Sequence, residues 1–314
     1  MTSKALFIFI IVLIFITGCG PLGEARKSYD AEDYSGALAK ANAQIAEDST
    51  NTAAWILAGD CYAKLQKLEN ASAAFEKALL LNSTDSGTKR KLSAVYIQRV
   101  ENPNRDARQA LSLLNKAEKY TPKSFTVFYN RGRVYSELAY LKKSRADFLR
   151  AREISPNDPR PDEQLALLDQ KQEKAEKLYH GGISAYKKKK WITATKYLSQ
   201  AAGLNKEYVD AVYMSHMAKG RRAFKKGSVS ALWDGIAELG FATQLKPQEA
   251  EPWFVMAQCY EKKDRNDFTS AIEPYEKVIA LAPDSRFAKQ AKIQINKLND
   301  IRERREKFFG KKNK

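Results

Sequence analysis

Residues 53–83 read AAWILAGDCYAKLQKLENASAAFEKALLLNS, and their order of large and small side chains returns twice along the chain. The first copy places Trp55, Gly59, Tyr62, Ala71, Phe75 and Ala78 at fixed offsets. Residues 126–156 repeat the frame with Phe128, Gly132, Tyr135, Phe148, Ala151 and Pro156. Residues 250–283 repeat it with Trp253, Ala257, Tyr260 and then, after a two-residue insertion, Ala271, Tyr275 and Pro283. Such self-similarity indicates a repeat architecture.

The pattern resembles the tetratricopeptide repeat, a unit of about 34 residues that forms two antiparallel helices. The resemblance implies that aromatic side chains fill the space between paired helices, and that small residues such as Gly59 and Gly132 let the backbones approach. A proline closes a unit because it cannot continue a helix. We therefore expect an all-α protein, a right-handed superhelical solenoid of six or seven helix pairs with a C-terminal capping helix.

Weaker copies of the frame fill the gaps between the three clear ones. The turn ENPNRDARQ (101–109) enlarges one of them, and residues 160–178 read as a long helix without its proper partner. The predicted domains are N-terminal repeats over 24–158, C-terminal repeats over 159–285, and a capping helix with a basic tail over 286–314. An apolar stripe is predicted on the capping helix. Its members are Ile293, Ile295, Leu298 and Ile301.

Near the N-terminus, the basic residue Lys4 precedes an apolar run over Ala5–Ile16. About twenty apolar residues are needed to span a bilayer, so this run has the length of a secretory signal core. A permanent anchor helix is the alternative interpretation, which the glycines and the proline that follow the run would break.

Residues 16–19, ITGC, end this segment on a cysteine. They resemble the lipobox of bacterial lipoproteins. The resemblance implies a signal peptide over 1–18, lipid attachment to Cys19 and a lipidated tether over 19–23, since a thiolate is nucleophilic enough to take the lipid. It places the protein in a bacterial cell envelope, and Gly20 after the cysteine favours the outer membrane, facing the periplasm.

The sequence contains no recognisable arrangement of catalytic residues. The two histidines, His180 and His216, stand in different repeats without metal-ligand spacing, and Cys61 and Cys259 share a repeat position that suits small apolar filler. We therefore expect no enzyme activity, no cofactor and no metal site.

Positive charge dominates the chain, which carries a formal net charge of +17. This balance favours anionic partners, although an exported protein would rarely meet nucleic acid, and we expect none as a partner. Two basic clusters stand out, YKKKKW (186–191) and RERREKFFGKKNK (302–314). Each is interpreted either as a contact for anionic lipid or glycan, or as a solvated turn and a solubilising tail.

The family resemblance also implies a concave groove, lined by the first helix of each repeat, that takes extended peptides or partner helices. The groove-facing residues in this frame include Arg90, Tyr129, Asn130, Arg133, Arg160, Tyr179, Tyr186, Tyr213 and Phe254. A clamp subset of the family grips a carboxylate terminus. Arg90, Asn130 and Arg160 stand at three of its five places, whereas Ala94 and Gln164 stand at the other two.

The predicted function is a membrane-anchored scaffold that binds a protein partner through this groove. Two alternatives stay open at this point. One is an accessory subunit of an outer-membrane assembly, secretion or pilus machine, and the other is a protein that binds anionic glycan or the cell wall.

Overall fold

The computed structural model describes residues 20–102 and 104–310. These residues form fifteen α-helices and no strand. The helices are α1 (Pro21–Asp30), α2 (Tyr34–Glu47), α3 (Thr52–Lys64), α4 (Leu68–Leu81), α5 (Ser86–Val100), α6 (Ala107–Tyr120), α7 (Phe125–Glu137), α8 (Leu141–Ile154), α9 (Arg160–Lys187), α10 (Trp191–Leu204), α11 (Val209–Lys226), α12 (Val229–Leu245), α13 (Ala250–Lys263), α14 (Phe268–Leu281) and α15 (Arg286–Gly310). The predicted lipobox and Cys19 lie outside the described residues. Within the described part, no helix combines the length and the apolar character that crossing a membrane requires.

The helices of the described part follow one another as seven pairs, α1 with α2 through α13 with α14, and α15 comes last. The connections between consecutive helices are short, and short connections make consecutive helices antiparallel neighbours. The first helices of successive pairs also contact one another. For example, α5 contacts α7, and α13 contacts both α11 and α15. The prediction of an all-α solenoid of helix pairs with a capping helix is confirmed.

Turn and cap residues explain where the helices stop and start. The turn inside four of the pairs contains a non-glycine residue with positive φ, namely Glu32, Gln66, Ala139 and Lys189, and Gly227 has the same conformation in a fifth. Aspartate side chains then accept backbone N–H bonds at several helix starts. Asp106, for example, accepts from Arg108 and Gln109 at the start of α6. Such caps satisfy the free N–H groups of the first turn.

Glycines hold the two helices of a pair close together. A Cβ atom built on Gly132 would lie 2.8 Å from the Phe148 ring, and one on Gly59 would lie 2.6 Å from the Phe75 ring. Both rings are buried, so they have little room to move. The interpretation that small residues permit close approach of the paired backbones is therefore confirmed at these places.

The chain divides into two compact units. Unit 1 contains residues up to Leu138 and Lys143–Leu165, and unit 2 contains Ala139–Lys142 and the residues from Ala166 onward. The helix expected over 160–178 continues to Lys187. It forms one helix of 28 residues, α9, with the segment that pairs with α10. The predicted domain bounds at 158 and 159 stay a prediction.

The capping helix differs in one respect from its predicted pattern. Leu298 is buried, but Ile293 is 65% exposed. Ile293 and Ile295 are two positions apart, which places them on different faces of a helix. The predicted apolar stripe is thus wrong at Ile293.

Candidate protein-binding face

A cluster of rings and one guanidinium lies where α7 meets the start of α9 in unit 1. The rings of Phe125 and Tyr129 stack with centroids 5.6 Å apart, and Phe148 lies 5.8 Å from Tyr129. The Arg160 guanidinium carbon lies 4.8 Å from the Phe125 centroid and 5.1 Å from that of Tyr129. We call Phe125, Tyr129, Phe148 and Arg160 the α7 cluster. The structure thus brings together Tyr129 and Arg160, two of the predicted groove residues.

Arg160 is held in this place by the carboxylate of Asp158. Arg160 Nη2 donates to Asp158 Oδ2 at 2.6 Å, and Arg160 Nε donates to Asp158 Oδ1 at 2.9 Å. These bonds lower the pKa of Asp158. Because the guanidinium is fixed from both sides, the cluster presents an ordered surface and not a loose side chain.

Two further predicted residues stand on an open surface near this cluster. Arg133 is exposed on α7, one helical turn beyond Tyr129. Arg90 is exposed on α5 and lines an open cavity of about 520 Å³. Ala94 and Ile97 line the same cavity, together with Lys123 from the turn before α7. This surface is cationic with small apolar patches.

Asn130 and its neighbour Arg131 are buried on the other side of α7. Asn130 is only 7% exposed, which leaves it little surface to offer a carboxylate terminus. Arg131 donates to both oxygens of Asp147 on α8, at 2.8 and 2.9 Å, and to Asn115 on α6 at 3.0 Å. It also donates to Glu118 at 2.5 Å, and the bonds to Asp147 raise the pKa of Arg131. Ala58 stands at the position of an earlier repeat that matches Arg131. A charged residue at a position that is apolar in another repeat is therefore the sequence signal that could have identified this network.

The predicted groove residues of unit 2 are mostly enclosed by the chain itself. Tyr213 is 6% exposed and has Lys246 Nζ 4.9 Å from its ring centroid. Phe254 is 5% exposed and packs against Tyr275 and Phe287. Packing in the core accounts for both residues, because an aromatic side chain on a first helix also fills the space toward the next pair. They offer almost no surface to a partner.

Tyr186 and Tyr179 each contact other polar or aromatic groups of unit 2. The Tyr186 hydroxyl donates to Glu251 Oε1 at 2.7 Å, and Arg221 Nη2 donates to the same oxygen at 2.7 Å. Burial, followed by the Glu251 carboxylate, raises the pKa of Tyr186. Tyr179 is half-buried beside Tyr208, with ring centroids 5.0 Å apart. Arg221 and Glu251 were not predicted, since nothing local connects them to Tyr186.

The residues that might have supported catalysis have structural surroundings. Cys61 and Cys259 are buried free thiols, and burial raises their pKa to about 11 and about 12. His216 Nδ1 lies 2.6 Å from Glu238 Oε2, which also bonds to Lys219. Within the described ranges, no group of His, Cys, Asp and Glu side chains is arranged to hold a metal ion.

A family model described as "Tetratricopeptide repeat" matches two segments of the chain, residues 52–85 and 125–158. These segments coincide with α3–α4 and α7–α8 and with the turns that follow them. They are tetratricopeptide repeats. The tetratricopeptide repeat is a scaffold for protein interaction, and the match supports a scaffold role in protein binding for this chain. Phe125, Tyr129 and Arg133 lie on the first helix of the second matched repeat. Phe148 lies on its second helix, and Arg160 follows directly after the matched segment.

Several solved structures are similar to the chain at low identity. A tetratricopeptide repeat protein from Parabacteroides merdae is 12% identical, with 86% of this chain and 95% of that chain covered and a TM-score of 0.38. YrrB, described as a TPR protein with an unusual peptide-binding site, is 20% identical, with 71% and 99% covered and a TM-score of 0.31. The TPR domain of P58(IPK) is 12% identical, with 89% and 97% covered and a TM-score of 0.36. No curated protein sequence matches the chain.

Proposed function

We propose that this protein is a lipid-anchored scaffold that holds a protein partner at a bacterial envelope membrane. The partner binds on the surface that α5, α7 and the start of α9 form in unit 1. The fold supports binding of a protein, and the position of the site rests on one observation. That observation is the α7 cluster, in which an ordered tyrosine and arginine stand next to the exposed Arg133.

The chemistry of this surface suits a segment with acidic and aromatic side chains. Arginine forms charge-assisted, paired bonds with carboxylates and stacks on rings. Aromatic and arginine side chains also dominate the energetics of protein interfaces. Because Asp158 already orders Arg160, a partner would lose less conformational entropy when it binds there.

The membrane anchor is proposed from the sequence of the N-terminal segment. The ITGC motif supports lipid on Cys19, and Gly20 supports delivery to the outer membrane, facing the periplasm. Two or more acyl chains would hold the protein stably, since each buried methylene contributes about 0.8 kcal/mol.

Photo-crosslinking in cells tests the binding surface. A benzoylphenylalanine at position 123 should give a discrete crosslinked band, because Lys123 is exposed in the turn before α7 and lines the same cavity as Arg90. The matched control carries the same group at position 108, where Arg108 is exposed on the second helix α6. Bands of equal intensity from both positions, or none from position 123, would contradict the proposal.

Substitutions then separate this surface from general charge attraction. Tyr129→Ala with Arg133→Ala should abolish capture of the crosslinked partner from solubilised membranes, whereas Arg108→Glu should leave capture unchanged. Neutralising Lys187–Lys190, the exposed basic turn before α10, should change mainly the salt dependence of capture. If only the lysine variant loses the partner, an anionic surface is the correct binding target.

A further inference from the structure

A second open surface lies in unit 2, along the face of α13 that packs toward the second helices α12 and α14. It is a groove of about 600 Å³ between α13 and α14. Trp253 and Tyr260 of α13 line it, and both side chains are half-buried. Phe254, a predicted contact residue, lies on a different face of α13, because adjacent helix positions are about 100° apart. We call this surface the aromatic groove.

A third ring extends the aromatic groove at one end. Trp233 of α12 stands beside Tyr260, with ring centroids 6.3 Å apart and nearly perpendicular planes. The Lys263 ammonium lies 4.0 Å from the Trp233 centroid, yet 51% of the Trp233 side chain remains exposed. An exposed aromatic surface that continues into a groove is typical of an interaction site.

The spacing of the two α13 rings matches a polyproline II segment. Trp253 and Tyr260 are seven positions apart, which is about 10.5 Å along an α-helix. A polyproline II chain has three residues per turn, so prolines at i and i+3 are about 9.3 Å apart on one side of the chain. Proline-rich segments bind aromatic-lined grooves in this conformation, and their stiffness lowers the entropy cost of binding.

Carboxylates on α14 indicate the charge of the segment. Glu273, Glu276 and Lys277 line the aromatic groove and are exposed. Among the described residues, no hydrogen bond or ion pair engages either glutamate. The aromatic groove therefore offers unpaired negative charge, although the chain as a whole has a net charge of +17. A basic side chain complements this wall.

Pro274 adds a hydrogen-bond acceptor beside these carboxylates. It lies inside α14 and lines the aromatic groove together with Ser270. Because proline has no N–H group, the Ser270 carbonyl lacks the bond that position 274 would donate in a regular helix. An arginine side chain carries five N–H donors, so it can bond to a carbonyl as well as to a carboxylate. This combination favours arginine over lysine.

We propose that the aromatic groove binds a proline-rich, arginine-containing segment of a protein partner in the polyproline II conformation. Prolines at i and i+3 pack on Trp253 and Tyr260. Because successive polyproline II side chains are turned by about 120°, an arginine between these prolines points toward α14 and bonds to Glu273 or Glu276. This inference goes beyond the proposed function, since it assigns a second partner site that does not depend on the α7 cluster.

Binding of a synthetic peptide tests the aromatic groove directly. The probe is fluorescein-labelled GPPRPPRPPG, added to the full chain in nonionic detergent and followed by fluorescence anisotropy. GAARAARAAG keeps its charge without the prolines, and GPPEPPEPPG keeps the prolines with the opposite charge. We expect the probe to bind at least tenfold more tightly than either control. The net positive chain attracts the glutamate peptide by general charge, so equal or tighter binding of either control would overturn the proposal.

Matched aromatic substitutions locate the binding. Trp233→Ala should lower the affinity for the probe at least fivefold. Phe241→Ala removes another ring of α12, which is 54% exposed about two helical turns further along, and should alter the affinity less than twofold. Both side chains are on the surface, and circular dichroism checks that both variants keep the helical fold. Equal losses from the two variants would overturn the site.

Matched carboxylate substitutions provide an independent readout. Glu273→Gln with Glu276→Gln should lower the affinity at least fivefold and reduce its dependence on salt, because exposed charges are screened. Glu303→Gln with Glu306→Gln changes the net charge equally at exposed positions of α15 with the same spacing, and should alter the affinity less than twofold. Equal changes from both pairs would overturn the proposal.

The two proposed sites can fail separately. The crosslink at position 123 reports on unit 1, whereas the peptide assay reports on the aromatic groove in unit 2. A missing crosslink with intact peptide binding would contradict only the proposed function. A discrete crosslink without preference for the arginine–proline peptide would contradict only the aromatic groove.

Discussion

A single glycine decides how closely the helices of the second matched repeat approach. Gly132 on α7 faces the buried ring of Phe148 on α8, and Ser144 Oγ donates to the Gly132 carbonyl at 2.7 Å. Gly240 on α12 is also helical, but nothing lies within 4 Å of the place where its Cβ would be. The same substitution therefore has opposite consequences at the two positions.

Gly132→Ala should destabilise the protein by about 1–3 kcal/mol, because the added methyl group overpacks the contact with Phe148. Gly240→Ala should instead stabilise it by about 0.5–1 kcal/mol through better helix propensity. Thermal unfolding followed by circular dichroism measures both. If Gly132→Ala stabilises as much as Gly240→Ala, the helices of this repeat are not in contact there.

Three helices of unit 1 are tied together by one buried guanidinium. Arg131 of α7 reaches Asp147 on α8 and Glu118 on α6, and the side chains of Arg131 and Asp147 are only 10% and 7% exposed. The Arg131 guanidinium forms a polar network where an apolar contact could stand. Its bonds to Asp147 and Glu118 can form only while α6, α7 and α8 keep their relative positions. Removing one member leaves a buried charge without its partner.

Arg131→Ala should cost about 3–5 kcal/mol of the free energy of unfolding, since Asp147 would remain buried and uncompensated. Arg131→Met combined with Asp147→Leu should recover most of that loss, because an apolar pair of similar volume needs no compensation. Urea denaturation compares the two variants. A loss in Arg131→Ala that the double variant does not recover would contradict this account of the network.

For the protein in its cellular setting, attachment through Cys19 is the prediction that decides location. Metabolic labelling with an alkyne fatty acid should mark the wild-type chain and spare Cys19→Ser, because the proposed lipid would be attached to this thiol. Cys61→Ser is the matched control and should keep the label, since Cys61 is buried in the fold. Label that persists in Cys19→Ser would rule out the anchor, and density fractionation of membranes then tests the outer-membrane assignment.

The repeat frame was predictable from the sequence because its determinants are local. Gly59 and Phe75, or Gly132 and Phe148, are 16 positions apart and recur at the same spacing, so packing within a pair is visible in the order of residues. The basic turn before α10 and the start of the capping helix at Arg286 follow from the same frame. Packing between the two helices of one pair therefore appears in the sequence as a repeated pattern of residues.

Only the tertiary structure decided which of the predicted contact residues are accessible. Tyr213 and Phe254 are enclosed by neighbouring pairs, whereas Arg133 stays on the surface. Contacts between helices far apart in sequence decided this, as the bond between Tyr186 and Glu251, 65 positions apart, illustrates. Periodicity records packing within a repeat, and exposure is set by packing between repeats.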